Sequence, residues 1–193
     1  MRDFYNIKEI SNPNNYEVLV NKINKLPRSY IPNDLNLISP EYSNSKQYLR
    51  NIAQINFEKM AHDAKLCGHD IKAVSTYRSY DYQKKLFNNY VKEKGFKYAS
   101  FCSAKEGHSE HQTGLAVDIS DESLDYDNFD KTKEFKWVFK NAHKYGFILR
   151  YPKDKINITG YKYEPWHYRY VGNLATYLYE NNLTLEEFNT DYL

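Results

Sequence analysis

Between residues 47 and 67 apolar side chains return every three or four positions: Leu49, Ile52, Ala53, Phe57, Met60, Ala61 and Ala64, with Asn56 on the same stripe. That period predicts an amphipathic helix whose apolar face is wide enough to pack on a sheet, and Gly68 predicts its end. From 115 to 119 the period drops to two. Leu115, Val117 and Ile119 alternate with Ala116, Asp118 and Ser120, the pattern of a half-buried strand with Asp118 on the face opposite the leucine and valine. A second strand is predicted late in the chain, with Trp166, Tyr168 and Tyr170 on one face and His167 and Arg169 on the other.

The remaining pattern fills in around these. Residues 71–77 predict a strand running into a helix that Ser79 caps and Asp81 favours through the helix dipole; Leu86, Phe87, Tyr90 and Val91 form its inward stripe and Gly95 stops it. Phe135, Val138, Phe139 and Ala142 predict a further helix closed by Gly146, followed by a strand over 147–151. A polar turn over 154–160, a short helix over 173–182 and a capping box from Thr184 to Glu187 complete the C-terminal part. Residues 1–40, with Asn-Pro-Asn-Asn and further prolines at Pro27, Pro32 and Pro40, predict an irregular arm with one short helix or extended piece over 16–26. Residues 97–108 read as a polar loop and 121–127 as a solvated acidic loop, which lacks the glycine and terminal Glu of an EF-hand. The order gives an α+β fold: one domain with a central antiparallel sheet flanked by helices, residues 1–45 as an arm on the core and 46–193 as the body of the domain.

Composition narrows the function. A chain of 193 residues buries a proper core as one domain. A net charge of +2 gives no reason to expect nucleic acid as a partner. No apolar run reaches transmembrane length and no signal peptide follows Met1, so the expected location is cytoplasmic if Met1 is the natural start and the cell envelope if a leader was trimmed. Cys67 and Cys102 are too few for a disulfide framework and read as buried thiols.

The chemistry gathers on the two strands. His111 stands just upstream of Asp118 across Gly114, and His167 follows on the second strand; two imidazoles and a carboxylate form a three-ligand set that leaves a fourth zinc position for water. Glu164, three residues before His167, is placed to act as the base on that water. His108 reads as solvent-facing or as support behind the site, and Trp166 as packing that holds the geometry between Glu164 and His167.

Ser109-x-His111-x-x-Gly114-x-Ala116-x-Asp118 followed by Glu164-x-Trp166-His167 resembles the signature of the zinc D-Ala-D-Ala peptidases of the VanX, VanY and VanXY type, relatives of lysostaphin-type peptidases and of the zinc domain of hedgehog proteins. The resemblance extends over roughly residues 70–172 and includes Tyr77-Arg78-Ser79-x-x-x-Gln83. It implies Zn2+ on His111, Asp118 and His167, Glu164 as general base, Arg78 polarising the scissile carbonyl, and Gln83 and Ser109 contacting substrate. The implied partner is a peptide or peptidoglycan precursor ending in D-Ala-D-Ala. The implied reaction is D,D-carboxypeptidase cleavage, with a D-Ala-D-Ala dipeptidase, a phage-type L-Ala-D-Glu endopeptidase and a non-catalytic zinc module as the alternatives.

Overall fold

A computed structural model describes residues 7–121, 123 and 125–191. The N-terminal segment is extended rather than helical. Its strands β1 (Lys8–Glu9) and β2 (Asn24–Lys25) pair in parallel, and β3 (Leu35–Leu37) pairs antiparallel with β4 (Tyr48–Arg50). The predicted helix over 47–67 therefore begins later, as α1 (Asn51–Leu66), because the backbone of its first residues is used elsewhere: Leu49 sits opposite Asn36, and Arg50 N–H donates to Gly114 C=O at 2.8 Å. At the far end Gly68, at φ +80°, ends the helix as its position predicts.

Next comes β5 (Lys72–Ser75), then α2 (Tyr80–Lys94), whose first turn is capped by Ser79 Oγ accepting from Tyr82 N–H. Of its expected inward stripe only Phe87 is buried, and Tyr90 is exposed. The stretch expected as a loop over 97–108 opens with a helix instead, α3 (Phe96–Cys102). Phe96 and Ala99, three residues apart, turn the short helix onto α2, where Phe96 meets Phe87 edge-on; polar composition masks that spacing. After α3 the chain forms β6 (Ala116–Ser120), α4 (Lys133–Asn141), β7 (Phe147–Leu149), the short α5 (Ile156–Thr159), β8 (His167–Tyr170), α6 (Leu174–Glu180) and α7 (Leu185–Asp191). The expected turn over 154–160 thus holds α5. Thr184 and Glu187 exchange both bonds of the predicted capping box at the start of α7. Within the acidic stretch over 121–127, Glu122 and Leu124 lie outside the described residues.

Four strands form one antiparallel sheet in the order β5-β6-β8-β7. Its packed face carries Leu115, Val117, Ile119, Tyr168 and Tyr170 against Phe57, Met60 and Ala64 of α1, with Phe147 and Val138 alongside. Burial of these side chains is the main favourable term holding the sheet to the helices, roughly 1.5–3 kcal/mol for each large one. The period-two alternation places Asp118, His167 and Arg169 on the opposite face, and the register sets Asp118 directly across from His167. Both cysteines depart from the buried-thiol expectation. Cys67 is exposed just beyond the buried stripe of α1, and Cys102 is half-buried at the end of α3.

Candidate active site

The polar face of the sheet opens into a cleft of about 540 Å³. His111 reaches it from a single 3-10 turn, Glu110–Thr113, which ends at Gly114 with φ +66°. The left-handed glycine reverses the chain directly into β6, so that an imidazole before the turn and a carboxylate four residues after it meet. His111 Nε2 lies 3.4 Å from Asp118 Oδ2, and His167 Nδ1 lies 3.0 Å from Asp118 Oδ1. The rings of His111 and His167 stand edge-to-face at 5.0 Å. One donor atom from each of His111, Asp118 and His167 falls within 4.8 Å of the other two.

The outer nitrogens of both imidazoles are held. His111 Nδ1 lies 2.6 Å from the Thr76 carbonyl, so it carries the proton and leaves the Nε2 lone pair facing Asp118. His167 has its Nε2 3.3 Å from Glu110 Oε2, which leaves Nδ1 for the cleft. Tetrahedral zinc with bonds near 2 Å sets its ligand atoms about 3.3 Å apart. Each histidine stands near that distance from one oxygen of Asp118, at 3.4 and 3.0 Å, with all three donors within 4.8 Å, and orientation of ligand histidines by a carbonyl and a carboxylate is the usual support of such a set. The three residues therefore fit zinc.

Electrostatics follow from burial. Removal from water alone would raise the Asp118 carboxyl, but His111, His167 and Arg78 hold it well below the usual carboxylate range. Burial, reinforced by the Arg78 guanidinium, lowers His111 to about 4. For His167 the burial penalty is outweighed by hydrogen bonds to Asp118 and Glu110, and its pKa rises to about 9. Glu164, with an oxygen 3.9 Å from His167 Nδ1, goes the other way from Asp118. Burial and the Asp118 charge outweigh His167 and push it up to about 7.

Arg78 donates from Nη2 to Asp118 Oδ2 at 2.8 Å, to Ser75 Oγ from Nε and Nη2, and from Nη1 to Gln83 Oε1. Gln83 in turn donates to Ala104 C=O, so the guanidinium is tied to the loop after α3. Ser109 lines the cleft and is buried. His108 is turned away from the cleft onto the Asn21 carbonyl. Trp166 packs against the core and also lines the cleft, with Lys162 over its ring.

Beneath the histidines lie residues whose role the sequence pattern does not give. Glu110, Arg150 and Arg169 have fully buried side chains in direct contact. Arginine inside the strand run Tyr168-Arg169-Tyr170, on the same face as His167, was the one available signal.

A buried His–Asp–His donor set with a carboxyl of raised pKa beside it, in an open cleft on an antiparallel sheet, has the composition of a hydrolytic metal centre. Comparison with known proteins makes the class specific: residues 46–173 match the family model VanY, D-alanyl-D-alanine carboxypeptidase, and the chain belongs to that family. It is 47% identical over 190 residues to YodJ of Bacillus subtilis (strain 168), which bears the provisional name of a carboxypeptidase; the match spans 94% of this chain and 70% of that protein. The solved structure of the LD-carboxypeptidase LdcB superposes with a TM-score of 0.90 at 45% identity, covering 98% of this chain and 92% of that one. A vancomycin resistance D,D-pentapeptidase VanY variant in complex with Zn(II) superposes with a TM-score of 0.78 at 31% identity, covering 90% and 98%.

Proposed function

We propose that the protein is a zinc carboxypeptidase that removes the C-terminal D-alanine from peptidoglycan precursors or stem peptides ending in D-Ala-D-Ala. The observation that carries this reading is the convergence of His111, Asp118 and His167 on one point, with Glu164 beside it inside the cleft. His111 Nε2, an Asp118 oxygen and His167 Nδ1 would hold the metal, which supplies a Lewis acid that brings a water pKa near neutrality. Glu164, with its pKa close to 7, takes a proton from the water and returns it to the departing amine. Arg78 faces the cleft with Nη1 beside Gln83, positioned to meet the charge that develops on the scissile carbonyl oxygen. Gln83 and Ser109 form the wall against which the peptide lies.

A second reading, cleavage of an L,D bond one residue shorter in the stem, is favoured by the likeness to LdcB, which exceeds the likeness to the zinc-bound D,D-pentapeptidase in both identity and TM-score. The two reactions share the metal, the base and the released D-alanine. They differ in whether the residue before the bond is D-alanine or a long L-amino acid.

Product analysis separates them. A D-Ala-D-Ala-ended pentapeptide and the corresponding tetrapeptide are incubated with zinc-loaded protein and with chelated protein. The expected result is release of one D-alanine from the pentapeptide, abolished by chelation and restored by zinc. Release from the tetrapeptide alone replaces the D,D reading with the L,D one. Zinc-loaded protein that cleaves neither peptide overturns the proposal.

A further inference from the structure

Behind His167 lies a charge cluster with no side-chain exposure at its centre. Glu110 Oε1 accepts from Arg150 Nε and from Arg169 Nη1, each at 2.8 Å, while Glu110 Oε2 faces His167 Nε2 at 3.3 Å. The arginines reach outward from there. Arg150 forks onto both oxygens of Glu186 at 2.8 and 2.7 Å. Arg169 donates from Nη2 to the carbonyls of Tyr16 and Val18, at 3.0 and 2.9 Å. Two guanidiniums thus balance two carboxylates. Tyr16, Val18 and Glu186 all lie outside the 46–173 stretch that matches the family model.

Buried charges are expensive and persist where each is paired and hydrogen-bonded. A carboxylate gripped from two sides has little freedom to rotate, and its second oxygen is what the outer nitrogen of His167 meets. We propose that Glu110 is a positioning residue: clamped by Arg150 and Arg169, it fixes His167 with Nε2–H inward and Nδ1 toward Asp118, and so makes zinc affinity depend on the N-terminal segment and on α7. The inference rests on the zinc reading above. The Glu110 side chain is fully buried and acts through the imidazole.

The test uses the full chain, with zinc alone as the probe. In zinc-loaded wild type, long-range 1H–15N correlation of the His167 ring is expected to show the proton on Nε2 and the metal on Nδ1. Glu110→Asp keeps the charge that balances the arginines but withdraws the carboxylate from the ring. Glu110→Gln keeps the length and removes the charge. Loss of such a support to a metal-bound histidine typically weakens metal affinity about 10- to 100-fold, and that drop is expected in chelator competition for each folded variant, with kcat falling at matched zinc load and KM little changed. Glu186→Gln, one arginine removed from the ring, is expected to give a smaller loss. Folded variants with wild-type zinc affinity and an unchanged ring spectrum overturn the proposal. If neither Glu110 variant folds, the wild-type spectrum decides, since a proton on Nδ1 overturns it equally. Wild type that takes up no zinc sinks the functional reading instead, so the two failures are distinguishable.

Discussion

Glu164 is placed where its ionised form costs the fold. Burial and the Asp118 charge raise its carboxyl from 4.5 to about 7, against the pull of His167. A group whose pKa is higher folded than unfolded stabilises the fold fully below its unfolded value, and that contribution is lost as pH rises through the folded value. In metal-free protein the loss therefore falls between about pH 4.5 and 7 and amounts to roughly 3 kcal/mol. Glu164→Gln removes the titration. Thermal unfolding in chelator is expected to show the variant melting several degrees above wild type at pH 8, with the gap closing by pH 5. The same substitution should lower turnover of the zinc-loaded enzyme by roughly a hundredfold to ten-thousandfold. Equal melting temperatures at both pH values would show that Glu164 ionises without penalty and is not held as described. At this scale the two strands made the site legible, because alternation alone sets Asp118 and His167 on one face. Glu110 was illegible. It lies in a 3-10 turn with no periodicity, and its partners come from positions 40 and 59 residues further along.

Elements fix the distances between those residues, and Gly114 is the joint between two of the donors. It links the turn carrying His111 to β6 carrying Asp118 at φ +66°, and a Cβ there would stand 2.8 Å from Leu35 Cδ2 and 3.1 Å from Arg50 Cγ. Gly114→Ala meets two separate penalties, a left-handed backbone and an overfilled contact with β3 and β4, together about 2–5 kcal/mol. The expected outcome is a lower denaturation midpoint together with weakened zinc binding, because the joint spaces two of the three donors. A variant that loses stability but binds zinc as wild type does would show that the turn and β6 are set independently of Gly114. Hydrophobic period read the long elements correctly, α1 and β6 above all. It failed where pairing partners override local pattern. Residues 48–50 carry helical spacing, yet their backbone pairs with β3 and with Gly114. The opposite error fell at α3, whose seven residues offer too few repeats for a period to stand out.

Across the whole molecule, the N-terminal segment does more than cover the core. Its carbonyls at Tyr16 and Val18 accept from Arg169, its Pro27 and Tyr30 carbonyls accept from Gln112, and Leu26 pairs with Gly107, so it borders the turn that carries His111. Proline and asparagine content predicted irregular chain here, but contacts so distant in sequence leave no local pattern to read. What the assembled cleft leaves open bears on substrate length. Its volume of about 540 Å³ lies within the range of pockets that enclose drug-sized ligands and exceeds what two alanine residues fill. A free dipeptide also brings an ammonium that must find a carboxylate. Among the described residues lining the cleft, Glu110 is taken by two arginines, Asp118 belongs to the donor set and Glu164 is the proposed base. Asp127 is largely solvated and stands 3.9 Å from Lys162. An ammonium held only by a solvated carboxylate gains about 1 kcal/mol or less. An N-acylated peptide ending in D-Ala-D-Ala carries no ammonium at that place and has further contacts to make along the cleft. Its kcat/KM is expected to exceed that of free D-Ala-D-Ala by at least about tenfold, the return on roughly 1.4 kcal/mol of added binding. Side-by-side progress curves on the two substrates, with zinc saturating, make the comparison; a free dipeptide cleaved as fast as the acylated peptide would mean that the cleft does hold an ammonium, and would move the enzyme from carboxypeptidase to dipeptidase.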